Sequence, residues 1–301
     1  MGSYAGHVLP GSFFIIFGLW WWFNILAKIA EAQAKYFKRH SVAQRGRTEK
    51  FDFELDFESS VWMKVPLSCL RNFPVDPCLK VIACTVGIIA ELSKGKWNLL
   101  DNHGHFSHLN NFGHATMFGS FLLGAIAEIF RYYNVLFVPS TTDHVLLSKA
   151  FFLVGELFYY HIEGRNELDQ KLHIPLYTVA FFIAFIVLLE AWQRKSLILC
   201  MVRSFLVVLL GTWFIQIAHV LYGPRPWQDI GSNHAFVVIV FAWHILGLLA
   251  CFLVNLVVIG GVVLAFSKAT RWSAVLNPSG SQEKSELHSL MNVEQDNEDN
   301  A

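Results

Sequence analysis

FYYHIEGRNELDQKLH, residues 158–173, sets two histidines, three acids and two bases between apolar runs at about 145–162 and 174–192. A helix needs roughly 20 apolar residues to cross a bilayer, where each backbone N–H and C=O must be paired within its own segment. The stretch therefore reads as a short polar turn joining two membrane helices. Five further apolar runs flank this pair, at about 8–27, 78–95, 112–130, 203–221 and 236–264. The second run is short and interrupted by Lys80 and Glu91, and the last is overlong, with Gly260 and Gly261 offering a bend or a stop. The fold expected is all-α: a polytopic membrane protein built as a seven-transmembrane-helix bundle.

Composition supports that class. Hydrophobic residues make up 54% of the 301 residues and charged residues 15%, and the mean hydropathy is +0.43. A soluble domain carries about a quarter charged residues, so a soluble globule is excluded. Membrane lipids are the expected partners; with a formal net charge of +0, no nucleic acid is expected. Five cysteines (Cys69, Cys78, Cys84, Cys200, Cys251) lack CxxC spacing, which indicates neither a disulfide framework nor a thiolate metal site. The first apolar run has no basic region before it and no small-x-small cleavage pattern, so it reads as a retained helix.

Basic residues set the expected orientation. With the N-terminus lumenal or extracellular, the cytosolic side receives the 28–77 loop, the turns near 131–149 and 193–203, and the C-terminus, collecting 18 of the 23 Lys and Arg. Residues 1–266 are then the membrane domain and 267–301 a disordered, acidic cytosolic tail. In the first loop, residues 28–50 hold seven bases and two acids and could continue helix one along an anionic leaflet. FDFELDFE (51–58) alternates like a strand with one covered face. It suits a strip on the protein's own surface or a segment that binds a cytosolic protein. The tail from 283 to 301, with six acids and one lysine, is a second candidate for a cytosolic protein partner.

Ten of the thirteen histidines fall in outer loops or the outward halves of helices, while His40, His144 and His288 fall on the cytosolic side. His7 precedes helix one, His114 opens helix three, His161 closes helix four, His173 opens helix five, and His244 lies within helix seven. Imidazole in hydrocarbon is costly unless paired or ligated, and neutral imidazole ligates zinc and other transition metals. The expectation is a lumen-side histidine cluster holding zinc or another transition metal. Its ligands would be His114, His161 and His244, with His173 or His7 as the alternative third. Glu163 or Glu156 would serve as base, and Arg165 would hold a lipid phosphate. The competing account of the same residues is an internal hydrogen-bond network including Glu156. The loose HxHxxH of His103, His105 and His108 reads as a wet loop, His234 as a cap of helix seven, and His219 as a helix-end residue bonded to a carbonyl. Glu128 reads as a snorkelling or hydrogen-bonded group near the cytosolic face. Haem is not expected, because the cytosolic depth is nearly empty of facing histidines.

GHVLPG at 6–11, GLWW at 18–21, the opening stretch at 158–173, GTWFIQIAHVLYGP at 211–224 and AWH at 242–244 together resemble the transmembrane protein 45 family. The resemblance implies a seven-helix protein of endomembranes, Golgi and endo-lysosomal compartments included, with no settled activity. It also implies family histidines at His7, His114, His161, His173 and His244. Departures fall at Glu163 and Gly113, where some relatives have histidine, and at His219, where an apolar residue is usual. Three functions remain open at this point. One is a zinc-dependent hydrolase of a lipid ester or amide in endomembranes or the plasma membrane. The second is a proton-coupled carrier whose histidines titrate. The third is a structural or adaptor protein acting through 51–58 and 283–301.

Overall fold

The structure is a computed structural model that describes residues 3–43, 57–63, 72–135 and 137–276, with backbone alone for 36–43, 264 and 267–276. Among the described residues seven helices follow one another: α1 Tyr4–Ala43, α2 Val75–Lys94, α3 Leu109–Tyr132, α4 Thr142–His161, α5 Glu167–Trp192, α6 Leu197–Tyr222 and α7 Gly231–Leu276. Among the described residues there is no strand, only an isolated bridge between Leu100 and Phe106. The chain is an all-α polytopic membrane protein. Five of its helices are long and apolar enough to cross a membrane: Tyr4–Lys35 of α1, α3, α5, α6 and Gly231–Val263 of α7. The other two, α2 and α4, have 20 residues each and carry Asp76, Lys80, Glu91 and Lys94, and Asp143, His144, Lys149 and Glu156, respectively.

The chain divides into two compact units, residues 1–25 with 56–252, and residues 26–55 with 253–301. The first holds every site discussed below. The described part of the second is helical, and its Glu31 and Lys35 pair at 2.7 Å on an exposed helix face. Helix one continues without a break to Ala43, and helix seven runs through Gly260 and Gly261 to Leu276. Glycine lowers helix propensity by only about 1 kcal/mol, too little to stop a long apolar helix. The FDFELDFE strip is described only at Phe57 and Glu58, which are not in a strand; residues 51–56 and 277–301 lie outside the described residues.

Within the first unit, α4 packs on α3 and α5, α2 on α3, and α5 on α6. The shared core runs through Phe151, Val154, Leu172, Leu176, Ile183 and Trp213, all buried. Helix α1 lies against α6 through glycine. A Cβ at Gly211 would sit 2.6 Å from the Gly11 carbonyl, and one at Gly18 would sit 2.7 Å from a Val208 methyl. Lipid tails are as apolar as leucine, so membrane helices associate by close backbone packing at small residues. These glycines supply it. The helix starts are fixed locally: Asn166 Oδ1 accepts the Asp169 N–H (2.9 Å) at the start of α5, and Ser196 Oγ accepts from Leu199 (3.4 Å) at the start of α6.

Candidate functional site

Because successive helices run in opposite directions, the start of α1, end of α2, start of α3, end of α4 and start of α5 meet at one end of the first unit. Four predicted histidines come together there as a chain of rings. His7 lies 5.8 Å from His173, His173 lies 5.9 Å from His161, and His161 lies 6.4 Å from His114, centroid to centroid. Their nitrogens face separate partners. His7 Nδ1 donates to the Ser3 carbonyl (3.0 Å), and His173 Nδ1 lies 2.8 Å from both the carbonyl and a carboxylate oxygen of Asp169. The Arg165 guanidinium donates to His161 Nε2 (2.6 Å) and to the Asp169 carboxylate (2.8 Å). His114 Nδ1 lies 3.4 Å from Glu91.

This geometry overturns the expected metal centre. Among the described residues no group of three or more His, Cys, Asp or Glu side chains could hold a metal ion. A cationic guanidinium stands where His161 would have to meet a cation. His244 is elsewhere: it bonds Thr212 Oγ1 (3.2 Å) and packs edge-on against Trp213. Among the described residues neither zinc nor another transition metal has a set of ligands. Arg165, expected to hold a phosphate, is instead engaged by His161 and Asp169. Glu163 is exposed in the turn, and Glu156 is half-buried on α4. His219 meets the Tyr4 hydroxyl (3.3 Å) instead of a carbonyl, and His234 bonds Asp229 (2.5 Å). In the 101–108 loop, Asp101 Oδ1 accepts the backbone N–H groups of His105 (2.9 Å) and His103 (2.8 Å), which lowers its carboxyl pKa. That carboxylate organises a backbone turn.

Below the histidine end lies a cavity of about 280 Å³, at the lower edge of the ~300–1,000 Å³ usual for small-ligand pockets. Its wall comes from α1, α2, α3, α4 and α6, and aromatic rings dominate it, among them Phe14, Phe17, Phe118, Phe121, Phe151 and Phe214. Charged groups appear only toward its two ends. Lys80 and Glu128 stand at one, and Glu91, Lys94 and His114 at the other. Lys80 and Glu91 share α2 and are about 16 Å apart along its axis at ~1.5 Å per residue.

At the opposite end of the unit is a charge network that sequence reasoning missed. Lys80 Nζ meets Asp76 Oδ1 (2.8 Å), Glu128 Oε2 (2.8 Å) and the Val61 carbonyl (3.0 Å). Of the two expectations for Glu128 the hydrogen-bonded one holds: it is 2% exposed and accepts from Lys80 with both carboxylate oxygens, so it does not snorkel. Arg203 pairs with Glu190 (3.2 Å), donates to the Ser60 carbonyl (2.8 Å) and stacks over Trp21 (4.5 Å). Met63 N–H and Trp20 Nε1–H both donate to Asp76 Oδ2. Residues 57–63 are thus tied across this end as a strap, with Phe57, Val61 and Met63 buried. Asp76 and Lys80 are four apart on one helix face, the one signal for this network visible in the sequence.

Ser59 Oγ to His144 Nε2 (3.1 Å) and His144 Nδ1 to Asp143 Oδ1 (3.0 Å) follow the atom order of a hydrolase triad. Ser59 is 1% exposed and absent from the cavity wall, and Glu190 lies 3.7 Å from the same His144 nitrogen. A nucleophile needs access to its substrate, so the three residues serve as a clasp for the strap.

A family model described as "Family of unknown function (DUF716)" matches residues 140–257. Transmembrane epididymal protein 1A of Mus musculus is 24% identical over 94% of this chain and 87% of its own length. Transmembrane epididymal protein 1 of Rattus norvegicus is 22% identical over 82% of this chain and 77% of its own length. Its Homo sapiens counterpart is 26% identical over 47% of this chain and 53% of its own length. These similarities replace the resemblance to the transmembrane protein 45 family drawn from the sequence motifs. The matched region carries the start of α4 through most of α7, and so includes His144, His161, His173 and Arg203.

Proposed function

We propose that this chain is a membrane-embedded binding protein for a single-chain lipid, which it holds in the cavity between α1, α2, α3, α4 and α6. The observation that carries the proposal is the aromatic-lined space of about 280 Å³ with polar groups only at its ends. Apolar cavities of this kind stay dry and accept apolar ligands. The wall favours a chain of methylenes, each worth roughly 0.8 kcal/mol when buried from water. The volume suits one acyl chain and not two.

Gly124 provides a clean test, because it lines the cavity and a Cβ there would meet no atom within 4 Å. Lipid extracted from the full chain in nanodiscs and quantified by mass spectrometry should contain one enriched single-chain species. Gly124→Phe should abolish the enrichment while the thermal midpoint holds or rises. Equal enrichment in the variant would refute the reading.

The same proposal places the N-terminus on the lumenal or extracellular face and the C-terminus in the cytosol, supported by the 18 of 23 basic residues that this assigns to the cytosolic side. It includes residence in Golgi, endosomal or lysosomal membranes. The 20-residue helices α2 and α4 reach about 30 Å, short of the roughly 32–33 Å core of a sterol-rich plasma membrane. Residues 51–58 and 283–301 remain its candidate contacts for a cytosolic protein. Selective-permeabilisation imaging of terminally tagged chains checks both the sidedness and the compartment.

A further inference from the structure

The two polar ends of the cavity differ in what they leave free. An ammonium has three N–H donors. At Lys80 the ammonium donates to the Val61 carbonyl (3.0 Å) and to Glu128 Oε1 (3.1 Å) and Oε2 (2.8 Å), and Asp76 Oδ1 lies 2.8 Å away as an ion-pair partner. Phe17 and Trp21 rings add 5.5 and 5.4 Å contacts to the same ammonium. The strap residues Val61 and Met63 are buried at this end. A head group arriving here would have to displace a saturated ion pair, so this end can receive only an apolar tip.

At the other end the acceptors are occupied and donors remain. Glu91 Oε1 takes Lys94 (3.0 Å), and Glu91 Oε2 takes Asn111 (2.8 Å) and His114 (3.4 Å). Lys94 uses one of its three N–H groups in this contact, and its side chain is 59% exposed, at a wet mouth. His114 lines the cavity with its Nε2 edge unpaired among the described residues, beside the His161 ring. The two remaining N–H groups of the Lys94 ammonium are the donating, cationic capacity left at this mouth, and a carboxylate complements them.

We infer that the occupant is a single-chain lipid with an anionic carboxylate head, of the fatty-acid class, seated with its head at Lys94 and His114 and its tail directed toward Trp21 and Lys80. This rests on the reading of the cavity as a lipid site and adds the head chemistry and the direction of the chain. The roughly 16 Å between the Lys80 and Glu91 levels accommodates an extended chain of medium to long length. Trp21 lines the cavity beside Lys80, so it reports on the buried tip.

The experiment uses full-length protein in nanodiscs and four probes: myristic acid, its methyl ester, and the acid brominated either at its last carbon or beside the carboxyl. Bromine quenches a tryptophan it touches. The last-carbon bromide is expected to quench a component of the fluorescence that disappears in Trp21→Phe, and the carboxyl-side bromide is expected to leave that component intact. The acid should bind about tenfold or more tighter than the ester, as expected of hydrogen bonds to a charged group. The double variant Lys94→Gln, His114→Gln should lose that advantage while binding the ester as the parent chain does. Quenching of Trp21 by the carboxyl-side bromide, or equal affinities for acid and ester in the parent chain, overturns the inference and leaves the cavity as a lipid site. Absence of binding by every probe, unaltered by Gly124→Leu, overturns the cavity reading and this inference with it.

Discussion

Replacing Lys80 by methionine puts the buried ion network under direct strain. In the native chain one ammonium lies 2.8 Å from carboxylate oxygens of both Asp76 and Glu128, which are 3% and 2% exposed. Methionine keeps the length and apolar stem and removes the only cation in that set. Two carboxylates would then share a buried site, and the Val61 carbonyl of the strap would lose its donor. Breaking a buried pair by deleting one partner costs ~3–5 kcal/mol, because an uncompensated charge remains. For a chain of 150–250 residues each kcal/mol moves the midpoint by about 2–4 °C, so the expected fall is roughly 6–20 °C. Tryptophan fluorescence during heating of the detergent-solubilised protein reads it. The triple variant Lys80→Met, Asp76→Asn, Glu128→Gln removes all three charges and should recover most of the loss, since neutral replacement of a buried ionic set is often tolerated. A Lys80→Met midpoint within about 2 °C of the parent, or a triple variant no better than the single, would refute the argument that these charges are desolvated and mutually dependent.

Further outcomes follow from the packing and the site. Gly211→Val should lower the thermal midpoint by an amount corresponding to about 1–3 kcal/mol of overpacking, because its Cβ would meet the Gly11 carbonyl at 2.6 Å; Gly247→Ala, with nothing within 4 Å, should stay within about 0.5 kcal/mol. Trp213→Phe should cost roughly 1–2 kcal/mol by chemical denaturation, because the buried indole N–H bonded to the Leu172 carbonyl at 2.9 Å is lost. Zinc at a modest excess should shift the midpoint by less than about 1 °C and leave no stoichiometric metal after desalting; one retained zinc per chain would contradict the partner assignments at His161 and His173.

Hydropathy made seven helices legible, because a segment in lipid must satisfy its own backbone, but among the described residues only five of them are long and apolar enough to cross a membrane. It did not reveal how far α1 and α7 continue, since a helix outside the hydrocarbon no longer needs an apolar sequence. The histidine end was half legible. Alternating helix direction told correctly that His7, His114, His161 and His173 share a depth, and their rings touch in series. Depth carries no information on azimuth, which is why His244 turned out to face Thr212 and Trp213. The metal expectation failed at a finer level still. The series His161, Arg165, Asp169, His173 recurs every fourth residue, so a guanidinium and a carboxylate sit beside two of the supposed ligands, a pattern present in the opening stretch of sequence. Nothing local linked Lys80 to Glu128, or Ser59 to His144, because those partners are 48 and 85 residues apart.

The separation of Lys80 from Glu128 bears on how the chain enters its membrane. A lysine at the centre of a lone helix resists insertion by roughly 2.5–3.5 kcal/mol; Lys80, the sixth residue of the 20 in α2, carries a part of that cost, and α2 is not among the helices apolar enough to cross a membrane by composition alone. Its neutralising partner lies near the far end of α3, so it leaves the ribosome some fifty residues later. If α2 crosses the bilayer, it then has to wait at the insertion machinery until nearly all of α3 has been made, and the two enter lipid as a paired hairpin. Truncation before Glu128 should strand α2 outside the bilayer, which a glycosylation-site reporter placed beyond it would register.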